Sequence, residues 1–165
     1  MDNYIVINGK KAELTKEQLE KLGIKTEKEN SFTRRPYGEK YYYITQNDTV
    51  NTYSEDGSIY DEKLYEHVNY FNDKDFAQQV ALHQLLYRKL LKYAYENDAF
   101  ADDWTNPNSS KYFIINHTDD NKFCVDWNRT LKHSGVVYFT SEKVTEQAFE
   151  DVVKPFMKEH PEFVW

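Results

Sequence analysis

The chain of 165 residues holds one cysteine, five glycines, four prolines and two methionines. Each scarcity excludes something. A lone Cys124 cannot build an internal disulfide framework or a zinc site of paired thiolates. With so few glycines there is no Gly-rich phosphate cradle and no Gly-x-Ser-x-Gly nucleophile elbow. No apolar run approaches the roughly 18 residues that suggest a membrane span. The opening Met1-Asp2-Asn3-Tyr4 has neither a basic start nor an apolar core, so no secretory leader is expected. Without export, the Asn-x-Ser/Thr triplets at Asn47, Asn108, Asn116 and Asn128 are chance matches.

Aromatic residues and acid are plentiful. Fourteen Tyr, ten Phe and three Trp make 16% of a chain whose apolar fraction is 39%. A ring buries roughly 150–250 Å², so these residues can supply a core that the aliphatics cannot, and the composition is not that of a disordered acidic tail. The formal charge is -7, unevenly spread. Residues 47–76 carry eight acidic and two basic groups; residues 96–104 carry four acidic and none basic; residues 77–95, between them, carry three basic and no acidic ones. Acidic surface repels nucleic acid and suits a basic partner. An ordinary solvated face explains the same pattern.

Residues 4–7 read as a strand, Asn8-Gly9 as a hairpin turn and 10–14 as the return strand. Thr15 and Gln18 have capping-box spacing, Leu14, Leu19 and Leu22 give a short helix its apolar side, and Gly23 stops it. Residues 41–44 and 49–53 are expected to pair, with a turn at 55–58 and a further strand at 65–71. Asn72 or Asp73 then caps a helix of about 24 residues. Its apolar stripe is Phe76, Val80, His83, Tyr87, Leu90 and Ala94, widened by Ala77, Leu86 and Leu91. Arg88, Lys89 and Lys92 lie toward its negative C-terminal end. Strands follow at 111–116, 122–127 and 135–139. Ser141 opens a last helix, which Pro155 is expected to kink or end near Lys154. Phe163, Val164 and Trp165 predict a docked tail.

Residues 41–44 and 68–71 superpose in kind on 111–114 and 136–139, about 70 residues on. In both copies Tyr-Phe ends a strand, and a capping residue and a helix follow. The expected fold class is α+β: an N-terminal hairpin with a short helix (1–24), a connection (25–40), and two similar antiparallel meander–helix units (41–97 and 111–165) joined by a loop (98–110), all within one compact domain.

No catalytic motif emerges. Cys124 sits inside a strand and reads as an inert thiol. The histidines His67, His83, His117, His133 and His160 include no helical metal-binding pair, and neither metal nor cofactor is implied. His67, His117 and His133 could meet a carboxylate only if the fold brought them together, which is what a small-substrate enzyme would need. Tyrosine offers large, stiff, amphipathic area suited to interfaces.

The hairpin Ile-Asn-Gly-Lys-Lys (7–11), Leu-Thr-Lys-Glu-Gln-Leu (14–19), Leu-Gly-Ile (22–24), Phe32, Arg34, the stretch 38–44, Asn69-Tyr70-Phe71 and Tyr112-Phe113-Ile114 together resemble small proteins carried by phages and mobile elements of Firmicutes. Their size and acidity resemble those of anti-defence factors, including inhibitors of CRISPR nucleases. The resemblance implies a cytoplasmic place in a bacterial host and inhibition of a host defence protein through an acidic, aromatic surface. The candidate contacts are Glu55, Asp56, Tyr60, Asp61 and Glu62, with Asp98, Asp102, Asp103 and Trp104. The alternative is a nucleic-acid-binding module using Arg34, Arg35, Arg88 and Lys92.

Overall fold

The computed structural model describes residues 4–7, 10–15, 18, 21–22, 30–119 and 122–165. Strands β1 (Tyr4–Ile7) and β2 (Lys10–Glu13) form an antiparallel hairpin pairing Tyr4 with Glu13 and Ile7 with Lys10. Its expected turn, Asn8-Gly9, lies outside the described residues, as do Leu19 and Gly23. Both bonds of the capping box are present: Thr15 N donates to Gln18 Oε1 (2.9 Å) and Gln18 N to Thr15 Oγ1 (3.3 Å).

The rest is α+β. Strands β3 (Lys40–Ile44) and β4 (Val50–Ser54) pair antiparallel, followed by helix α1 (Ile59–Glu66) and helix α2 (Lys74–Glu96). Strands β5 (Lys111–His117) and β6 (Lys122–Asn128) form the third hairpin. Helix α3 (Glu142–Ala148) then runs through a π turn (Phe149–Val153) into helix α4 (Lys154–Glu159).

The segments expected to repeat share backbone contacts, although among the described residues each sheet has two strands rather than forming a meander. Tyr42 and Phe71 exchange both their hydrogen bonds, and Asn72 N donates to Ser31 O. Tyr112 and Phe139 exchange the same two bonds, and Thr140 N donates to Ala99 O. Asp73 and Ser141 cap the helices that follow. Ala77 and Thr145, each four residues past its cap, are fully buried. The Tyr70 and Tyr138 phenols, at equivalent places, each accept a backbone amide, from Arg35 (3.0 Å) and His133 (2.8 Å). Segments expected as connections therefore supply a bonded edge: Ser31 to the first unit, Ala99 to the second.

Two expectations are corrected and a third is narrowed. Residues 65–71 are not a strand. Tyr65 and Glu66 finish α1, and Val68, at φ 57°, occupies the left-handed position after it. Val68 N bonds to Tyr65 O and Asn69 N to Leu64 O, the Schellman pattern that recovers two terminal carbonyls. Of 135–139, Phe139 alone bridges to β5. And of the two outcomes expected near Lys154, a kink or an end, the helix does not end; it widens to a π turn at Phe149–Val153 and continues as a new segment, Lys154–Glu159, with Pro155 tolerated in its first turn.

The buried stripe of α2 is Ala77, Ala81, Leu82, Leu86, Leu90 and Ala94; Leu90 and Ala94 belong to the stripe expected and Ala77 and Leu86 to its widening, whereas Ala81 and Leu82 do not. Phe76, His83 and Tyr87 sit at its exposed rim. Both stripes have helical spacing; the alanines decide between them by allowing close approach. From this face Leu82, Leu86, Leu90 and Ala94 join Ile114, Val137, Phe139, Val153, Phe156 and Phe163 in one core, so the helix of the first unit packs into the second. The tail is docked through Phe163, while Val164 is exposed. Phe163 is buried, and Gln79 donates to Glu162 O (2.7 Å) and accepts from Val164 N (2.9 Å).

Candidate functional site

The two acidic regions were expected to be alike; the fold treats them differently. In the first, the Glu55 and Asp61 carboxylates turn inward. Gly57, at φ 73°, lets the chain double back after β4, and its amide donates to Glu55 Oε1 (3.0 Å). Arg34 clamps both oxygens of Glu55 (3.1 and 3.0 Å), and the Tyr70 phenol donates to it at 2.9 Å. The Arg34 clamp holds the Glu55 carboxyl below its ordinary range against the pull of burial. Asp61 closes a capping box with Ser58 at the start of α1. Its Oδ2 accepts the Asp56 and Ser58 amides (3.0 and 3.1 Å), and its Oδ1 the Tyr41 phenol at 2.6 Å. Burial alone would push this carboxyl up; the Tyr41 phenol and the amides outweigh it and hold it well below the usual range. Burial, reinforced by Asp61, pushes the Tyr41 phenol far up. Burial likewise pushes Tyr70 up to about 12, with the Arg35 amide opposing and Glu55 adding.

Tyr41 and Tyr70, 0% and 1% exposed, stack at 3.9 Å between these anchors. Glu55 and Asp61, expected on an accessible face, are 4% and 0% exposed, so they hold the fold and cannot touch a partner. What they support is exposed: Tyr60 packs edge-on against Tyr43 and Tyr53, each at 5.9 Å. Asp56 and Glu62 remain exposed beside them in sequence. Asp56 also accepts the Ser58 amide at 3.0 Å.

In the second region the carboxylates turn outward. Helix α2 has no cation in its last turn, where Glu96 stands. Asp98 follows at φ 49° as the left-handed residue of a second Schellman end, with Asp98 N on Tyr95 O and Ala99 N on Ala94 O. Carboxylates at a helix C-terminus oppose its dipole. Among the described residues, neither the Asp98 nor the Asp102 carboxylate has a hydrogen-bond or ion partner. Tyr95 is 60% exposed and stacks on Phe100 at 4.7 Å. Asp103 belongs to a local turn, accepting the Thr105 hydroxyl (2.6 Å) and amide (2.9 Å), which lower its carboxyl.

Trp104, expected as a contact, is half-buried: its ring packs edge-on to Tyr138 at 4.8 Å and lies near the Lys111 and Lys132 ammoniums (5.3 and 5.8 Å). Lys111 takes the place in the second unit that Tyr41 has in the first. It is 1% exposed and donates to the Asn106 and Ser109 carbonyls. Sequence reasoning missed it, because a strand-opening lysine carries no mark of burial.

The residues of the nucleic-acid alternative are occupied. Arg34 is on Glu55, Arg35 on Asn72 O with Glu39 at 3.7 Å, Arg88 on Asp48, and Lys92 within 3.5 Å of Glu96. Phosphate would have to displace a carboxylate from most of them. Among the described residues no group of three or more His, Cys, Asp or Glu is placed to hold a metal, and none of their helices is long and apolar enough to cross a membrane. His133 lies by Phe113, with ring centroids 5.9 Å apart, while His117 ends β5. No family model, no curated protein and no solved structure matches the chain.

Proposed function

We propose that this chain is a binding protein that docks a basic partner on the exposed acidic, aromatic surface at the C-terminal end of α2, and that it acts as a phage-derived inhibitor of a host defence protein, a CRISPR nuclease or similar. The observation that carries the reading is Glu96 and Asp98 at the negative end of a helix, with the exposed Asp102 four residues on and the exposed Tyr95 ring stacked on Phe100. Glu96 has Lys92 beside it, but the Asp98 carboxylate has no partner among the described residues, whereas a lysine or arginine brought by a partner would be attracted by side chains and dipole together. An aromatic stack supplies rigid apolar area beside the charge.

The test is a bacterial strain with an active defence nuclease, in which expression of the chain is expected to restore transformation by a targeted plasmid. Asp98→Lys/Asp102→Lys is expected to abolish the effect and to weaken capture of the partner at least about tenfold at moderate salt. Unchanged restoration and capture would sink the proposal.

A further inference from the structure

Strand β6 offers a second, independent surface. Among the described residues β6 pairs with β5 alone. The direction of its free backbone groups follows from the repeat. Tyr112 gives both its N–H and its C=O to Phe139, so these groups point away from β6. Antiparallel pairing alternates hydrogen-bonded and non-bonded pairs. With the uninterrupted register Tyr112–Trp127, Ile114–Val125 and Asn116–Phe123, the N–H and C=O groups of Phe123, Val125 and Trp127 point outward. Trp127 N–H is already capped by Asp126 Oδ1 at 2.7 Å, which confirms the direction and closes that end of the edge. Phe123 and Val125 remain as a short open template.

Beside this template runs a cleft of about 600 Å³, with Phe123 and Val125 as its apolar floor and Glu142, Glu146 and Glu150 along its wall. Glu150 pairs with Lys154; Glu142 and Glu146 are exposed. Four residues of α-helix rise about 6 Å. Two residues of a strand span about 6.8 Å. Successive carboxylates on the wall therefore lie at nearly the spacing of alternate side chains on an added strand.

We propose that the β6 edge is a strand-addition site for an extended, basic segment of a partner protein. Its backbone pairs with Phe123 and Val125, and alternate lysines or arginines meet Glu142 and Glu146. Strand addition draws affinity from main-chain bonds and specificity from alternate side chains. The same carboxylates, and a net charge of -7, disfavour a second copy of this chain as the occupant.

The experiment uses the full chain labelled with ¹⁵N and a capped peptide of alternating valine and lysine. Expected are amide shifts at 122–127 and 142–150, lost when either all valines or all lysines of the peptide are N-methylated, since one of those sets must face the edge. Glu142→Lys/Glu146→Lys, both on exposed positions, is expected to weaken binding at least tenfold, and Asp98→Lys/Asp102→Lys to leave it unchanged. Four results would overturn the proposal: no shifts at millimolar peptide, binding that survives both N-methylated peptides, shifts centred on 95–102, or a concentration-dependent dimer that buries β6.

Discussion

The 55–66 and 96–103 regions have similar composition, carboxylates among aromatics, and opposite fates. In the first, every buried oxygen is met: Glu55 by Arg34, Tyr70 and Gly57, Asp61 by Tyr41 and two amides. A buried carboxylate survives in a fold only when it is so surrounded, because its desolvation otherwise costs several kcal/mol. In the second, Asp98 and Asp102 stay in water with nothing to hold. Acid is therefore internal scaffold at Glu55 and Asp61 and external display at Asp98 and Asp102, and charge counting cannot separate the two.

The largest expected effect breaks that contrast at its inner end. Asp61→Ala strands the Tyr41 phenol and the Asp56 and Ser58 amides, and is expected to cost about 3–5 kcal/mol in denaturant unfolding. Asp102→Ala is expected to stay within about 0.5 kcal/mol. Equal losses would erase the distinction between the regions. Next comes Glu55→Gln, expected to cost about 2 kcal/mol, because the neutral amide keeps a hydrogen bond but leaves the buried end of the Arg34 clamp without its charge.

The pH profile sharpens the comparison further. The Glu55 and Asp61 carboxyls are lowered by folding. Their contribution is thus complete above the ordinary carboxylate value of about 4 and drains away as pH falls below it. The Tyr70 phenol is raised, to about 12, so its contribution is complete below the ordinary value of about 10 and drains away as pH climbs from there to about 12. Unfolding followed across pH is expected to show both losses in the wild type and in Asp98→Lys/Asp102→Lys alike, since neither outward carboxylate belongs to the network. An acid limb that moves with the outer pair would contradict the assignment.

The smallest effect concerns the helix ends. Val68→Gly and Asp98→Gly place glycine where φ is 57° and 49°, and each is expected to stabilise the chain by about 1 kcal/mol. For Val68 that is the whole prediction. For Asp98 the gain in melting temperature is expected to come with weaker capture of a basic partner, which would mark the acidic side chain as retained against stability.

Much of the architecture is local and was legible. Three hairpins, the Asp73 and Ser141 caps, the Thr15–Gln18 capping box and the long helix are written in side-chain period and hydrogen-bonding residues a few positions apart. The repeat was legible because Tyr42–Phe71 and Tyr112–Phe139 keep the same side chains where the same backbone bridge is needed. Residues 65–71 misled because aromatic and β-branched residues suit a strand, while the Asp61–Ser58 box and the left-handed Val68 impose a helix and its stop. The α2 stripe was legible at Leu90 and Ala94 and misled at Phe76, His83 and Tyr87, because neighbouring positions share helical spacing and only packing against Ile114 and Phe139 chooses between them.

For the site, the sequence by itself determined that acid and aromatics would concentrate in two blocks. The tertiary structure decided which carboxylates are usable. Arg34 and Glu55 lie 21 residues apart, Tyr41 and Asp61 20 apart, and Lys111 is buried by the carbonyls of a loop. Whether a charged side chain faces water or a partner inside the fold depends on what the chain brings back to it from a distance, and desolvation makes those two outcomes opposite in energy even where the residues are the same.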